Sequence, residues 1–367
     1  MSSASNIEWT DCTWNPVVGC TPVSPGCLNC YAATMARRLE AMGVKEYAAR
    51  EIPATMGTPY DAHEPAKMVR IAEVKGGRAV FSGEVRCVPE RLGDPLSWRK
   101  PRRVFVNSMS DLFHEDVPDG FIDWVWETMY RCPQHTFQIL TKRPDRMAAY
   151  FDGVRKAASR LYGEEMIEAP LPNVWLGTSV EDQKCADERV PWLLKCPAAV
   201  RFLSCEPLLG PVNLVGAYRT AIVNNQRGGM TYTAACKAVA ASAIHWVIVG
   251  GESGSLAKVR PCDVGWVRSI VRQCRDAGVA CFVKQLGAKV VCRNDEVADW
   301  MDQPGGPCLD DINTEGVVMQ GDPVRVLLRD RKGGDPAEWP EDLRVREMPK
   351  GCDDPDPLAC ARGSGVR

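Results

Sequence analysis

The sequence predicts an α/β fold, a full or partial (β/α) barrel of the TIM type, from three observations. Six short apolar runs recur about every thirty to forty residues, the size of a strand-helix-strand unit. Segments with helical spacing of apolar residues lie between them, as in Phe121–Tyr130 and Trp266–Ala277. The runs are continuously apolar, which is typical of parallel strands buried on both faces. A doubly wound open sheet is the second possibility.

Each apolar run predicts one strand of the sheet. They are Val104–Ser108, Thr136–Thr141, Asn173–Ser179, Val200–Ser204, Trp246–Gly251 and Ala280–Gln285. The stretch Tyr31–Leu39 predicts a helix, because Met35 and Leu39 share one face. We expect a barrel domain over residues 1–291, with insertions near 43–101 and 216–243. A C-terminal extension over 292–367 is expected to pack on the barrel, and its last residues, about 15, to fray.

Composition and charge limit the class of protein. With 367 residues and 45% hydrophobic content, the chain can bury the core of one large domain. Its formal net charge of -2 gives no overall attraction to nucleic acid or anionic lipid, so such contact needs a local patch. Residues 1–11 are polar, and no apolar run approaches the roughly 20 residues that span a bilayer. We therefore expect a cytoplasmic protein without membrane contact.

The segment most indicative of chemistry is Cys20-Thr-Pro-Val-Ser-Pro-Gly-Cys27-Leu-Asn-Cys30. Its prolines and glycine predict a loop, in which the three thiols can converge on a metal centre. Three cysteinates leave one position of a cubane iron-sulfur cluster without a protein ligand, which suits catalysis. A zinc knuckle with Cys12 as fourth ligand is an alternative, and reactive unpaired thiols are another. With only 4 histidines in the chain, a histidine-rich metal site is not expected.

Polar residues follow each predicted strand. Because the carboxyl ends of parallel barrel strands meet at one face, these side chains are expected to form a single site, although any one of them can serve as a cap or lie in solvent. They are Asn107, Ser108 and Asp111; Thr141, Lys142 and Arg143; Thr178, Ser179 and Glu181; Ser204 and Glu206; Gly250, Gly251, Glu252 and Ser253; and Lys284 and Gln285.

Several strand ends suggest a nucleotide-like ligand that carries an amino acid. Lys142 and Arg143 suit a carboxylate or phosphate, and Ser179 and Glu181 suit ribose hydroxyls. Glu181 with Asp182 is equally suited to cap the following helix. The pair Gly250-Gly251 either lets the backbone approach a ligand closely or forms a simple tight turn.

Other strand-end residues are candidates for catalysis. Glu206, Glu252 and Lys284 suit acid-base or substrate-orienting roles, although either glutamate can instead form a buried ion pair with Arg201 or Arg260. Cys205 is either a hydrogen-atom donor or a packed thiol. The aromatic residues Trp9, Trp14, Tyr31 and Trp175 are suited to stacking on a base or to packing.

In combination, several segments resemble a phage-associated family of radical S-adenosylmethionine proteins. They are Ile7-Glu-Trp-Thr-Asp, Trp14-Asn-Pro-Val-Val-Gly-Cys20, Ser110-Asp-Leu-Phe-His, Leu140-Thr-Lys-Arg-Pro, Phe202-Leu-Ser-Cys-Glu-Pro-Leu-Leu, Val249-Gly-Gly-Glu-Ser-Gly and the block beginning at Lys332. The resemblance spans almost the whole chain. It implies a barrel of the radical S-adenosylmethionine type with an N-terminal cluster loop.

The resemblance also implies the cofactors. Cys20, Cys27 and Cys30 would hold a [4Fe-4S] cluster whose free iron binds the amino and carboxylate groups of S-adenosylmethionine. The residues expected around S-adenosylmethionine are Tyr31, Asn107, Ser108, Thr141, Lys142, Ser179, Glu181, Gly250 and Gly251. Of these, Thr141 and Lys142 resemble the strand end that meets the methionine moiety in DNA-photolesion lyases. The chain departs from the commonest pattern, since six residues rather than three separate the first two cysteines. Asn29 also replaces the usual aromatic residue before Cys30.

Finally, the resemblance implies a substrate and partners. In phages, this family accompanies hypermodification of thymidine, so the expected activity is isomerisation of a glycine-bearing thymine in DNA from nitrogen to carbon linkage. The expected setting is the cytoplasm of an infected host cell, with flavodoxin or ferredoxin as reductant. Basic residues suited to DNA phosphates are Arg37, Arg38, Arg99, Lys100, Arg102 and Arg103. Alternatives are a lesion lyase, an RNA-modifying enzyme, or a zinc-stabilised nucleic-acid-binding protein without catalysis.

Overall fold

A seven-stranded parallel sheet, curled into a half-barrel, forms the centre of the computed structural model, which describes residues 5, 7–52, 67–162, 170–217, 244–304, 306–307, 312–313 and 323–349. Neighbouring strands in the sheet follow one another along the chain. They are β1 (Cys12–Trp14), β8 (Arg103–Val106), β9 (Thr136–Thr141), β10 (Val174–Ser179), β11 (Val200–Cys205), β12 (Trp246–Gly250) and β14 (Ala280–Gln285). An α/β fold with a partial barrel is therefore confirmed.

Helices connect most of these strands, as parallel pairing requires. Those of the described residues are α1 (Tyr31–Ala41), α2 (Asp119–Tyr130), α3 (Pro144–Tyr162), α4 (Gln183–Leu193), α5 (Val264–Ala277) and α6 (Asn294–Met301). Asp182 caps α4 by accepting a hydrogen bond from the Cys185 N–H at 2.8 Å. The helix cap predicted for the Glu181-Asp182 pair is thus formed by Asp182.

All six predicted strands are present, but the sequence reading missed β1. This strand has only three residues and pairs with β8 through the register Cys12 to Val104 and Trp14 to Val106. Three residues are too few for a periodic signal. The missed strand extends the sheet on the side from which the cysteine loop begins.

Two apolar layers hold the half-barrel together. Aromatic side chains fill its concave face, where the ring centroid of Trp246 lies about 6 Å from the ring centroids of Trp9 and Trp175. A Cβ on Gly177 would lie 2.5 Å from the Phe202 ring, so this glycine makes room for the aromatic layer. A larger cluster lies between the convex face and helices α2 to α5, and it buries side chains such as Val125 and Ile270 completely.

Short strands outside the half-barrel form four small sheets. They are β2 (Val17–Val18) with β7 (Arg86–Cys87), β3 (Arg50–Ile52) with β4 (Lys67–Val69), the hairpin β5 (Ala72–Lys75) with β6 (Arg78–Phe81), and a four-stranded sheet of β13 (Cys262–Asp263), β15 (Val290–Arg293), β16 (Ile312–Asn313) and β17 (Pro323–Val326). The predicted insertion near 43–101 thus contains two antiparallel pairs, β3 with β4 and β5 with β6. Most of the predicted 216–243 insertion and the expected frayed end lie outside the described residues.

Residues 323–349, here called the C-terminal block, pack against the outer edge of β14. The Val283 N–H donates to the Val345 carbonyl at 2.8 Å, and the Glu347 N–H donates to the Cys281 carbonyl at 2.8 Å. Arg346 also forms an ion pair with Glu8 at 3.0 Å, which fastens this block to the segment before β1. Within the described ranges, no helix is both long and apolar enough to cross a bilayer.

Candidate functional site

One cavity of about 300 Å³ lies at the carboxyl ends of the half-barrel strands. It gathers most of the polar side chains predicted from the sequence, together with Cys20, Cys27, Cys30 and Tyr31. The predicted strand-end residues that line it are Asn107, Ser108, Asp111, Thr141, Lys142, Arg143, Ser179, Ser204, Glu206, Gly251, Glu252, Ser253, Lys284 and Gln285. All six predicted strands thus contribute residues to this one cavity.

The cysteine loop, residues 20–30, forms one wall of this cavity. Its three thiols are free and half-buried. A short 3-10 turn covers Pro25–Cys27, and α1 begins at the residue after Cys30. Burial raises the pKa of Cys20 to about 12 and also raises the pKa of Cys30. Thiols in such surroundings stay protonated unless a metal binds them and displaces the proton.

The donor set suits an iron-sulfur cluster, in which thiolates bind different irons around a shared volume. Cys20, Cys27 and Cys30 are free thiols that line the same wall of the cavity. Within the described part of the chain, no group of three or more histidine, cysteine or acidic side chains is gathered as the ligands of a single metal ion. Cys12, suggested above as a fourth zinc ligand, is 1% exposed, packs in the core and does not line the cavity. Cys308, a cysteine of the C-terminal extension that the sequence leaves open as a ligand of a second metal centre, lies outside the described residues.

Asp111 holds the start of the loop through Arg143. The carboxylate accepts hydrogen bonds from Thr141 Oγ1 at 2.7 Å and from the Lys142 N–H at 3.0 Å, and it pairs with Arg143 at 3.1 Å. Arg143 in turn donates to the Thr21 carbonyl at 3.1 Å and lies 3.7 Å from Cys20 Sγ. The guanidinium predicted to hold a ligand's carboxylate is therefore committed to the protein itself.

Glu181 holds the middle of the loop. Its side chain is fully buried, pairs with Lys142 and with Arg189 at 2.6 Å, and accepts a hydrogen bond from Ser24 Oγ at 2.7 Å. Burial alone raises the pKa of this carboxyl, but the two cations outweigh burial and lower the pKa to about 2. A Cβ on Gly26 would lie 2.4 Å from Glu181 Oε1, so the loop packs directly on the carboxylate. Glu181 was expected at a ribose, and the structure places it under the loop.

Glu252 holds the end of the loop. It accepts hydrogen bonds from Asn29 Nδ2 at 3.0 Å and from the Arg260 N–H at 2.8 Å, and its carboxylate pairs with the Arg260 guanidinium. Burial raises the pKa of Glu252, but the hydrogen bonds from Arg260 and Asn29 outweigh burial and lower it. Arg260 also donates to the Pro25 carbonyl at 2.7 Å. The alternative reading of Glu252 as an ion-paired residue is thus observed. We call Asp111, Glu181 and Glu252 the anchor carboxylates.

A second kind of strand-end group lines the cavity without a hydrogen bond to the loop, all of whose residues the structure describes. Lys284 Nζ donates to Glu206 Oε1 at 2.9 Å. The Lys284 side chain is 26% exposed and the Glu206 side chain is 15% exposed. A Cβ on Gly250 would come within 2.9 Å of Glu206 Oε1, so this glycine makes room for the pair. Ser204 and Ser179 line the same cavity. The Glu206–Lys284 pair therefore presents one anionic and one cationic group to a ligand.

Asn107 stands out among the remaining lining residues. Its backbone is left-handed, with φ at 59°, a conformation that asparagine tolerates better than most residues. The side chain is 3% exposed, and its Nδ2 has no hydrogen-bond partner among the described residues. A buried donor without an acceptor is costly, which fits a position completed by a bound ligand or water.

Several residues predicted to contact a ligand are instead buried or closely packed within the protein. Cys205 is fully buried in the core behind the sheet and does not line the cavity. A Cβ on Gly251 would lie 2.1 Å from the Leu286 carbonyl, so close packing of the chain explains this glycine without a ligand. Trp14 and Trp175 are fully buried in packing roles, whereas Tyr31 is 53% exposed at the cavity.

The basic residues suggested for DNA phosphates are divided between two ends of the molecule. Arg103 begins β8, and Arg99, Lys100 and Arg102 precede it, so they lie toward the amino ends of the strands, away from the cavity. Arg37 and Arg38 lie on α1, directly after the loop, and Arg37 pairs with Glu40 at 2.7 Å. Only the second group is on the loop side of the half-barrel.

The sequence reading did not find the contacts that hold the loop. Ser24, Asn29 and Arg189 received no role, although all three bind anchor carboxylates. One signal was available. Asn29 departs from the usual aromatic residue, and a polar side chain at that position indicates a polar partner.

The profile of a family described as "Protein of unknown function (DUF5131)" matches residues 4–313. The match includes the cysteine loop and every strand of the half-barrel, while the block over 323–349 lies beyond it. A search of curated proteins gave no match, and a search of solved structures gave none.

Proposed function

The chain belongs to the DUF5131 family, and we propose that it is a radical S-adenosylmethionine enzyme that isomerises a modified thymidine in DNA. The supporting observation is the placement of Cys20, Cys27 and Cys30. All three thiols are free and lie on the wall of a cavity at the carboxyl ends of a parallel half-barrel, where enzymes of barrel folds carry their catalytic groups.

Cys20, Cys27 and Cys30 would hold a [4Fe-4S] cluster, and the cavity beside them would take S-adenosylmethionine. When bound, the two supply radical chemistry that removes a hydrogen atom from an unactivated carbon. The unpartnered Asn107 amide and the Ser179 and Ser204 hydroxyls are available to donate to this ligand's polar groups. Because the anchor carboxylates are already paired, they would act on the loop rather than on the ligand.

The Glu206–Lys284 pair is the best candidate for contact with the substrate. It lies in the cavity, retains partial exposure, and offers an acceptor and a donor side by side. These groups would orient the substrate and hold or move a proton on it. Tyr31, half-exposed at the same cavity, can stack on a base.

A glycine-bearing thymine, converted from nitrogen to carbon linkage, is the substrate that we propose. Such a base has to be turned out of a duplex or offered on a single strand, since a stacked base does not reach a cavity at the end of a barrel. Arg37 and Arg38, on the loop side, are the better placed of the basic residues to contact phosphates. A flavodoxin or ferredoxin would supply the electron.

The test is anaerobic purification and reconstitution, followed by iron and sulfide counting and an assay for 5′-deoxyadenosine after reduction with dithionite in the presence of S-adenosylmethionine. Four irons per chain and release of 5′-deoxyadenosine are expected, and Cys27→Ala should abolish both. Bound zinc without cleavage of S-adenosylmethionine would overturn the proposal in favour of a zinc-stabilised nucleic-acid-binding protein. Product analysis on DNA that carries the modified base then tests the substrate.

A further inference from the structure

We propose that Asn29 and Glu252 form a clamp that fixes the Cys27–Cys30 turn before any metal binds, so that Asn29 positions the thiol ligands. That the clamp serves to position metal ligands rests on the proposed function, whereas the hydrogen bonds that form it are observed in the structure. Metal sites in proteins are rarely formed in advance, and thiolate loops commonly order only on binding. Here the contacts that order the loop come from the protein.

The Asn29 amide is held from three sides. Its Nδ2 donates to Glu252 Oε2 at 3.0 Å and to the Lys258 carbonyl at 3.0 Å, and its Oδ1 accepts from Arg78 Nε at 3.0 Å. Glu252 follows β12, Lys258 lies in the loop after it, and Arg78 begins β6. One side chain between two cysteines thus joins the loop to the sheet end and to the β5–β6 hairpin.

Glu252 is itself fixed, which makes it a rigid partner. Its side chain is 5% exposed and accepts from the backbone N–H of Arg260 at 2.8 Å and from Arg260 Nε at 3.1 Å. The same arginine donates to the Pro25 carbonyl at 2.7 Å. Arg260 therefore holds the chain before Cys27, and Asn29 holds it after Cys27.

The contact set requires an amide at position 29. An aromatic side chain, as found at this position in the commonest pattern, has no pair of N–H groups for Glu252 and Lys258. An aspartate keeps the shape and the acceptor for Arg78, but it turns an oxygen toward the Glu252 carboxylate and the Lys258 carbonyl. Asn29→Asp therefore breaks the Glu252 side of the clamp and preserves the Arg78 side.

The clamp is tested on the metal-free, full-length chain by the rate of deuterium labelling of the backbone N–H groups in residues 27–30 that form hydrogen bonds within the turn, followed by peptide mass spectrometry. We expect labelling to be about tenfold faster in Asn29→Asp, because a hydrogen bond to a charged group is replaced by repulsion. Asn29→Ala, which removes the donors without adding charge, should be intermediate. The peptide that contains Cys87, which lies outside the loop and pairs with β2, is the internal control. Asn213→Asp, at an exposed position whose hydrogen bonds, such as those with Gln183 and Gly216, do not involve the loop, is the matched control variant.

Iron content after reconstitution gives the second readout. Asn29→Asp is expected to lose half or more of its bound iron while its urea midpoint stays near that of the wild type. Equal labelling rates and equal iron in Asn29→Asp and wild type would overturn the clamp. Failure of the wild type to bind iron would instead count against the proposed function, and the labelling comparison would still decide the clamp.

Discussion

Two groups of residues lie at the carboxyl ends of the strands, and they differ in the contacts that they make. The anchor carboxylates, Asp111, Glu181 and Glu252, are buried, paired with cations and joined to the cysteine loop. The Glu206–Lys284 pair is partly exposed and contacts no described residue of the loop through a hydrogen bond or ion pair. Both groups follow apolar strands in the sequence. The comparison teaches that a polar residue at a strand end either holds another segment of the protein or stays partly exposed to the cavity. Burial with several partners distinguishes the first kind.

Removal of an anchor carboxylate is expected to have the largest effect. Glu181→Ala leaves Lys142 and the buried Arg189 without their shared anion, which should lower the free energy of unfolding by about 3–5 kcal/mol. Glu206→Ala, at the partly exposed pair, should cost less than about 1 kcal/mol. Urea unfolding measures both. Equal losses in the two variants would break the distinction between the groups.

Acid should remove the same stabilisation. The folded pKa of Glu181, about 2, lies below its ordinary value of 4.5, so this carboxylate stabilises the fold above about pH 4.5 and ceases to do so as the pH falls toward 2. A shift of this size corresponds to about 3 kcal/mol in the free energy of unfolding. Denaturation measured at several pH values should show that loss in the wild type. Glu181→Gln should lack this part of the pH dependence, and an unchanged slope would contradict the assignment.

A methyl group at the loop tests its contact with the anchor. In Gly26→Ala the new Cβ would lie 2.4 Å from Glu181 Oε1, so the loop has to shift or the carboxylate has to move. We expect a loss of about 1–3 kcal/mol in the free energy of unfolding, typical of overpacking. Gly93→Ala is the control, since a Cβ there meets nothing within 4 Å. A Gly26→Ala protein as stable as Gly93→Ala would show that loop and anchor are not in firm contact.

Among the substitutions considered, Glu206→Gln should change the free energy of unfolding least, while its effect on turnover should be large. Glu206→Gln keeps the size of the side chain and, since the pair is partly exposed, should change the free energy of unfolding by less than about 1 kcal/mol. If Glu206 moves a proton on the substrate, turnover of the modified base should fall about a hundredfold. Iron content should stay at the wild-type level. Loss of iron in this variant would place Glu206 with the anchor carboxylates.

The sheet was largely predictable from sequence, because parallel strands buried on both faces leave uninterrupted apolar runs such as Thr136–Thr141, whose predicted bounds equal the observed ones. Strand β1 was not, since three residues give no period. The cavity was also predictable, because the carboxyl ends of parallel strands meet at one face whatever the side chains are.

The partners within the cavity were not predictable. Glu181 and Glu206 both follow a strand, yet one is completely buried and the other is not. Their difference arises from the cysteine loop, which reaches Glu181 from a position 157 residues away in the chain through Ser24. Composition and periodicity describe each segment separately, so they give no information on which distant segment will cover a given strand end.

The strand-like pairing of Val345 and Glu347 with β14 has a consequence for how the molecule behaves in a crowded cell. An outer strand with free backbone groups is a template for pairing with other chains. Here the backbone groups of Val283 and Cys281 form hydrogen bonds with the protein's own C-terminal block. This block lies beyond the residues that the family profile matches. A chain shortened to residue 313 would expose that edge and would be prone to self-association. The C-terminal block therefore covers the free edge of β14, which should lower the tendency of the protein to aggregate.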